Sequence, residues 1–282
     1  MAYTNIIDAA TVSVHLDDPN WVVMDCRFSL ADTEAGRRAY AESHLPGARY
    51  AHLDEDLSGP ITPVTGRHPL PDPLKLAQKL GAWGIGNATQ VIAYDDMGGI
   101  LAASRLWWLL RWLGHDACAV LDGGFLAWRR AGLPLTEQLP AIPPKRFEAR
   151  LMDRLWLTTA QIEALSAREL LLDARAAIRY RGEQEPIDPV AGHIPGAVNL
   201  PTEANLRTDG RFRPTDELRE RFLAVMNGRA PTAVVHGCGS GVTACHNLLA
   251  MEAAGLSGSR LYAGSWSEWI RDPNRPIATG AA

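Results

Sequence analysis

The chain has 282 residues, enough for two domains of ordinary size that each bury a hydrophobic core. Hydrophobic residues make up 46% of it and charged residues 21%, a balance that argues against extensive disorder. The formal net charge is −4 and no long basic tract occurs, so we do not expect nucleic acid as a partner.

The N-terminal residues 1–5 lack the basic and apolar segments of a secretory signal. The most apolar stretch, residues 100–113, contains Arg105 and Arg111 and is shorter than the roughly 20 residues of a membrane span, so we predict a buried helix there. We therefore expect a cytoplasmic protein without membrane contact, whose cysteines stay reduced. No zinc-ligand spacing occurs around them, and we expect no metal or cofactor.

Four motifs of the first half recur in the same order in the second half. They are an apolar run ending in Asp-x-Arg (22–27 and 170–175), His-x-Pro-Gly-Ala (44–48 and 193–197), an apolar strand before a glycine-containing loop (91–94 and 233–236), and a segment with a tryptophan three residues beyond it (121–125 and 262–266). Four ordered matches predict a tandem duplication.

We divide the chain into domains at 1–138 and 151–282, joined by a linker at 139–150 whose prolines exclude regular helix. Thr158 and Gln161 have capping-box spacing, which predicts a helix start. In each half, short apolar strands alternate with amphipathic helices such as 73–80 and 216–225. This alternation predicts an α/β fold in which each domain has a parallel β-sheet with helices on both faces.

Cys238 follows the predicted strand at 233–236 and precedes a helical sequence at 245–254. Ligand sites in parallel sheets lie beyond the carboxyl ends of the strands. The glycines around Cys238 let backbone N–H groups converge, and a helix N-terminus favours an anion, so this position favours a reactive thiolate. The alternative is a glycine-rich turn with an incidental cysteine. Matching Gly99 with Gly241 places Asp96 opposite Cys238, which predicts that the first domain is non-catalytic.

Residues 238–244, which read C-G-S-G-V-T-A, resemble the active-site loop of the 3-mercaptopyruvate sulfurtransferase branch of the rhodanese family. The thiosulfate branch typically has basic residues where this chain has Gly239 and Ser240. Residues 173–175, 192–197 and 264–269 also match family motifs. The resemblance covers essentially the whole chain and implies two tandem rhodanese-like domains, of which the second is catalytic.

The resemblance implies that Cys238 takes a sulfane sulfur from a small anionic donor, holds it as a persulfide, and passes it to cyanide or a thiol. It also implies that a serine of the loop works with a histidine and an aspartate of the first domain. Ser240, His68 and Asp56 match these residues. The loop residues expected to bind the donor are Gly239, Gly241, Val242 and Thr243.

Arg179 matches the arginine that binds the oxygens of the donor in the family, and Arg181 is a near competitor. The guanidinium fork suits planar or clustered oxygens. The mercaptopyruvate branch commonly has a second arginine after Glu-Pro, where this chain has Ile187. This difference weakens the case for mercaptopyruvate and leaves thiosulfate possible as a donor. We expect activity on both donors, with mercaptopyruvate favoured.

Three other functions remain as alternatives. A thiosulfate-preferring rhodanese is favoured by Ile187. A cysteine phosphatase needs an arginine at the end of the loop, and position 244 is alanine. A rhodanese-like regulatory or binding module usually lacks the cysteine, which is present here as Cys238.

Overall fold

The computed structural model describes residues 2–281, which form two compact units. The first unit contains the residues up to Gly59, Pro71–Met152 and Leu206–Phe212. The second contains Pro60–Leu70, Asp153–Asn205 and the residues from Arg213 onward.

The first unit has one five-stranded sheet in the order β1-β5-β4-β2-β3, and all its pairings are parallel. Its strands are β1 (Ile6–Ile7), β2 (Trp21–Asp25), β3 (Arg49–Tyr50), β4 (Gln90–Tyr94) and β5 (Cys118–Leu121). Its helices are α1 (Ala9–Ser13), α2 (Ala35–Glu42), α3 (Pro73–Ala82), α4 (Ala102–Trp112) and α5 (Gly124–Arg130).

The second unit has the same arrangement, with the strand order β6-β10-β9-β7-β8 and parallel pairing throughout. Its strands are β6 (Trp156–Leu157), β7 (Leu170–Asp173), β8 (Val198–Asn199), β9 (Val234–Gly237) and β10 (Arg260–Tyr262). Its helices are α6 (Thr159–Glu163), α7 (Ala177–Tyr180), α8 (Thr215–Met226), α9 (Ala244–Ala253) and α10 (Ser265–Trp269). The predicted α/β fold, with a parallel sheet and helices in each half of the chain, is confirmed.

The central strands are covered on both faces. All five residues of β4 and all four of β9 are buried, as expected for parallel strands between layers of helices. Helix α4 is buried along almost its whole length, so the apolar stretch at 100–113 forms a buried helix as predicted. No helix among residues 2–281 combines the length and apolar character needed to cross a bilayer.

Local sequence signals explain several helix starts. The side chain of Asp72 accepts hydrogen bonds from the N–H groups of Leu74 and Lys75, and Pro73 occupies the first turn of α3. Thr158 and Gln161 form the predicted capping box ahead of α6.

The strand register corrects one expectation about the first domain. Asp25 pairs with Tyr94, and the matching Asp173 pairs with Gly237. The residue after Tyr94 is Asp95, so Asp95 and not Asp96 corresponds to Cys238. The loop after β4 has one more residue than the loop after β9, and a match made at their glycines therefore shifts the register by one.

Asp95 is fully buried, and its carboxylate accepts three backbone N–H groups of its own loop. The donors are Met97 at 2.9 Å, Gly99 at 2.8 Å and Leu101 at 3.1 Å. Burial raises the pKa of Asp95 to about 6, although these hydrogen bonds act to lower it. The first unit therefore places a carboxylate in its loop at the position of the second unit's cysteine.

Candidate active site

Cys238 lies directly after β9, at the carboxyl edge of the second sheet, and is buried. Its Sγ accepts a hydrogen bond from the N–H of Gly241 at 3.1 Å. Its own N–H donates to Oγ of Ser265 at 3.0 Å. The thiol is therefore held in a fixed orientation, with a backbone donor aimed at the sulfur.

Glycine is required at position 241. Its φ is +74°, which favours glycine, and a Cβ there would lie 2.3 Å from the carbonyl oxygen of Ala263. Helix α10 fixes the other side of the loop, because Trp266 N–H donates to the carbonyl of Cys238 and Ser267 N–H donates to that of Gly239.

The loop has further backbone N–H groups besides that of Gly241, which donates to the sulfur. The N–H groups of Ser240, Val242 and Thr243 donate to no acceptor within residues 2–281. Thr243 is the residue before the first turn of α9, where the helix dipole favours negative charge. The loop residues predicted to bind the donor thus lie together between β9 and α9.

His68 and Ser240 lie side by side in the second unit, and both are buried. Nδ1 of His68 lies 2.7 Å from Oγ of Ser240. A neutral imidazole accepts a proton from a hydroxyl at this distance and returns it, so the pair is suited to moving a proton beside Cys238.

Asp56 lies in the first unit, after β3. Its carboxylate accepts the N–H of His52 at 2.7 Å and pairs with the ammonium group of Lys79. These partners fix the carboxylate within its own unit. The role of Asp56 toward His68 stays a prediction.

Arg179 is held by two carboxylates. Its Nε and Nη2 donate to Glu185, with Nη2 2.7 Å from Oε1, and Nη2 also lies 3.1 Å from Oδ2 of Asp188. Burial disfavours the charge of Glu185, but the hydrogen bonds from Arg179, Asp188 and Ile187 outweigh it and keep its pKa below the ordinary value. Glu185 is therefore ionised and fixes the guanidinium near the loop.

The Asp-x-Arg motif at the end of β7 contacts the same glutamate that holds Arg179. Arg175 binds Asp173 through Nη2 at 2.7 Å and Glu185 through Nη1 at 3.4 Å, and all three side chains are almost completely buried. Burial opposes the charge of Arg175, but the two carboxylates outweigh it and raise its pKa. Arg181, the competitor of Arg179, instead pairs with Glu183.

Sequence reasoning missed two residues of this site. Ser265 has a φ of +53° and its Oγ accepts the N–H of Cys238, which links the start of α10 to Cys238. Arg67 lies beside Gly239 and pairs with Asp188. The only sequence signal for Arg67 was its place next to His68.

One group of side chains has the composition of a metal site. Ligand atoms of Glu34, His52 and Glu55 lie within 4.8 Å of one another. Both ring nitrogens of His52 are engaged, however: Nε2 lies 3.0 Å from the carbonyl of Thr33, and Nδ1 faces backbone N–H groups. Arg37 pairs with both glutamates, so the group forms a salt-bridge cluster.

The fold and this site define a class of protein: two parallel α/β units, one of which carries a buried cysteine whose sulfur accepts a backbone N–H of its loop. The family model of the Rhodanese-like domain matches residues 8–131 and 158–272, and the chain belongs to this family.

Named relatives agree with this assignment. The chain is 51% identical over 284 residues to a Pseudomonas aeruginosa protein named "Probable 3-mercaptopyruvate sulfurtransferase", with 99% of this chain and all of that protein aligned. It is 36% identical over 260 residues to the thiosulfate sulfurtransferase of Bos taurus, covering 89% and 86% of the two chains. The structure of 3-mercaptopyruvate sulfurtransferase from Leishmania major matches with a TM-score of 0.84 and 33% identity, over 96% of this chain and 76% of that one.

Proposed function

We propose that this protein is a sulfurtransferase that moves a sulfane sulfur through a persulfide on Cys238. The observation that carries the proposal is the loop around Cys238, in which a backbone N–H donates to Sγ and the His68–Ser240 pair lies alongside. The relatives named for sulfur transfer support it.

With thiosulfate, the Cys238 thiolate attacks the outer sulfur. The new S–S bond forms as the S–S bond of thiosulfate breaks, and its electron pair leaves on sulfite. Cyanide then attacks the outer sulfur of the persulfide, which gives thiocyanate and returns the thiolate. The N–H groups of residues 240–243 are the donors we assign to the persulfide charge.

With 3-mercaptopyruvate, the sulfur attacked by Cys238 carries a proton. As the S–S bond forms, the C–S bond breaks and its electron pair remains on carbon as an enolate. The thiol proton passes through Ser240 and His68 and returns to that carbon, which gives pyruvate and a persulfide anion. The presence of a proton relay beside Cys238 favours mercaptopyruvate as the preferred donor.

We assign catalysis to the second domain, residues 151–282, and a structural role to the first, residues 1–138, with 139–150 as linker. Asp95 in place of a cysteine supports the structural role. The segment that carries His68 nevertheless belongs to the second compact unit. We place the protein in the cytoplasm, acting on a small anionic donor and a thiol or cyanide acceptor.

The test is steady-state transfer to cyanide with mercaptopyruvate and thiosulfate side by side, for the natural protein and for Cys238→Ser. We expect a higher kcat/KM with mercaptopyruvate and a loss of about 1,000-fold or more with both donors in the variant. Cys245→Ser is the matched control, because Cys245 is buried and its Sγ donates to the carbonyl of Gly241. Transfer by Cys238→Ser at the natural rate would refute the proposal, whereas a preference for thiosulfate would change only the donor.

A further inference from the structure

The segment at residues 60–70 packs closely against the start of α10. A Cβ built on Gly66 would lie 2.7 Å from the carbonyl oxygen of Gly264 and 2.8 Å from Oγ of Ser267. Both distances are shorter than a real Cβ allows, so only glycine lets the backbone approach the helix this closely. The segment and the helix belong to the same compact unit.

Ser267 contacts two segments of the chain at once. Its Oγ accepts the N–H of Arg67 at 3.0 Å. Its own N–H donates to the carbonyl oxygen of Gly239 at 2.8 Å. Ser267 is buried, and hydrogen bonds away from water are stronger than those in solvent. The residue therefore fixes both segments to the first turn of α10.

The two residues that Ser267 holds are the chain neighbours of the His68–Ser240 pair. Arg67 directly precedes His68. Gly239 precedes Ser240 in the same way. Consecutive Cα atoms are about 3.8 Å apart, so a shift of a held residue is passed on to the residue that follows it. The distance of 2.7 Å between Nδ1 of His68 and Oγ of Ser240 therefore depends on both hydrogen bonds of Ser267.

We propose that Ser267 is a positioning residue for proton transfer in the mercaptopyruvate reaction. It holds the backbone before His68 and the backbone before Ser240, and so sets the distance between their side chains. This inference rests on the proposed sulfurtransferase function and deepens it. A second hydrogen bond supports the placement of the segment, because Nε of Arg271 donates to the carbonyl of Thr65 at 2.9 Å.

The test is steady-state transfer from mercaptopyruvate to cyanide by Ser267→Ala in the full-length protein. The variant keeps the backbone hydrogen bond to Gly239 and removes the acceptor of the N–H of Arg67. We expect kcat to fall about 5- to 10-fold, the effect of one lost hydrogen bond, and KM to stay within about threefold. With thiosulfate, kcat should stay within about twofold, because no proton moves in that step.

The second measurement repeats Ser267→Ala in the His68→Gln protein. There the pair is already lost, so the added substitution should change kcat/KM for mercaptopyruvate by less than about twofold. A residue that acts only on stability would have its full effect in both proteins. Ser259→Ala is the matched control, because Ser259 is buried in the same unit and its Oγ has no hydrogen-bond partner within residues 2–281. We expect natural kinetics from it.

The assignment of Ser267 is overturned if Ser267→Ala keeps the natural kcat, loses as much with thiosulfate, or has its full effect in the His68→Gln protein. If Ser267→Ala does not fold, Ser267→Cys decides by the same measurements, since a thiol keeps the size of the side chain but accepts hydrogen bonds weakly. A natural protein that forms no persulfide would instead contradict the proposed function itself.

Discussion

Nδ1 of His68 lies 2.7 Å from Oγ of Ser240, although 172 residues separate them in the chain. The contact joins a histidine of the segment at residues 60–70 to the loop that carries Cys238, within one compact unit. Such a pair can transfer a proton, but it has no proton to transfer when the sulfur of the donor carries none. Substitutions in this pair should therefore affect the activities with the two donors differently, since mercaptopyruvate has a thiol proton and thiosulfate does not.

We expect Ser240→Ala and His68→Gln to lower kcat/KM for mercaptopyruvate by about 100- to 1,000-fold, the usual contribution of a proton-transferring pair. With thiosulfate the same variants should stay within about threefold of the natural protein, because no proton moves in that step. Thiocyanate formation from each donor measures both values. Equal losses with the two donors would show that the pair acts through the shape of the loop.

Asp56→Asn tests the predicted role of this carboxylate toward His68. If Asp56 orients the histidine, the variant should lose about 10-fold or more of the mercaptopyruvate activity and keep the thiosulfate activity. Lys79→Met is the control, because it removes the ion-pair partner of Asp56 and leaves the carboxylate. A loss of the same size in Lys79→Met would assign the effect to the ion pair.

Gly241→Ala should lower the unfolding free energy far more than an alanine substitution at another glycine with positive φ. The added Cβ would lie 2.3 Å from the carbonyl oxygen of Ala263, and φ is +74°. Gly196 is a matched control, since its φ is +81° and nothing lies within 4 Å of its added Cβ. We expect Gly196→Ala to cost about 1 kcal/mol of unfolding free energy and Gly241→Ala at least about 2 kcal/mol more, with loss of sulfur transfer. Urea unfolding followed in parallel with activity measures both.

Asp95 should make stability depend on pH. Its pKa is near 6 in the folded protein and lower in the unfolded chain, because burial disfavours the carboxylate. The folded state therefore binds more protons between about pH 4 and pH 6, so stability falls as the pH rises through this window. Relative to Asp95→Asn, the natural protein should lose up to about 3 kcal/mol between pH 4 and pH 7. Urea unfolding of both proteins across this range checks it, and a flat difference would contradict it.

The sequence predicted those parts of the fold that depend on local pattern. Alternating apolar strands and helices predicted the two parallel sheets, and the spacing of Thr158 and Gln161 predicted a capped helix. The apolar stretch at 100–113 was correctly predicted as a buried helix. These features depend on neighbours in the chain, which a sequence displays directly.

Features that depend on distant contacts were not predictable in the same way. Arg67 acquires its place only when residues 60–70 pack in the second unit, and its partner Asp188 is 121 residues away. Ser265 needs a backbone conformation that serine rarely adopts. The match of Asp96 with Cys238 was wrong because the two loops differ by one residue, which the strand register resolves to Asp95.

The carboxylate of Asp95 also bears on the catalytic cycle. It receives three N–H groups, from Met97, Gly99 and Leu101, so in the first unit a carboxyl group of the chain itself fills the loop. Residues 238–243, which form the loop of Cys238, include no such carboxyl group. We therefore expect the backbone of this loop to become more ordered when Cys238 receives a sulfur and less ordered when the sulfur leaves. The sulfur-loaded protein should melt at a higher temperature than the unloaded one, so melting temperature would report the loading of the enzyme.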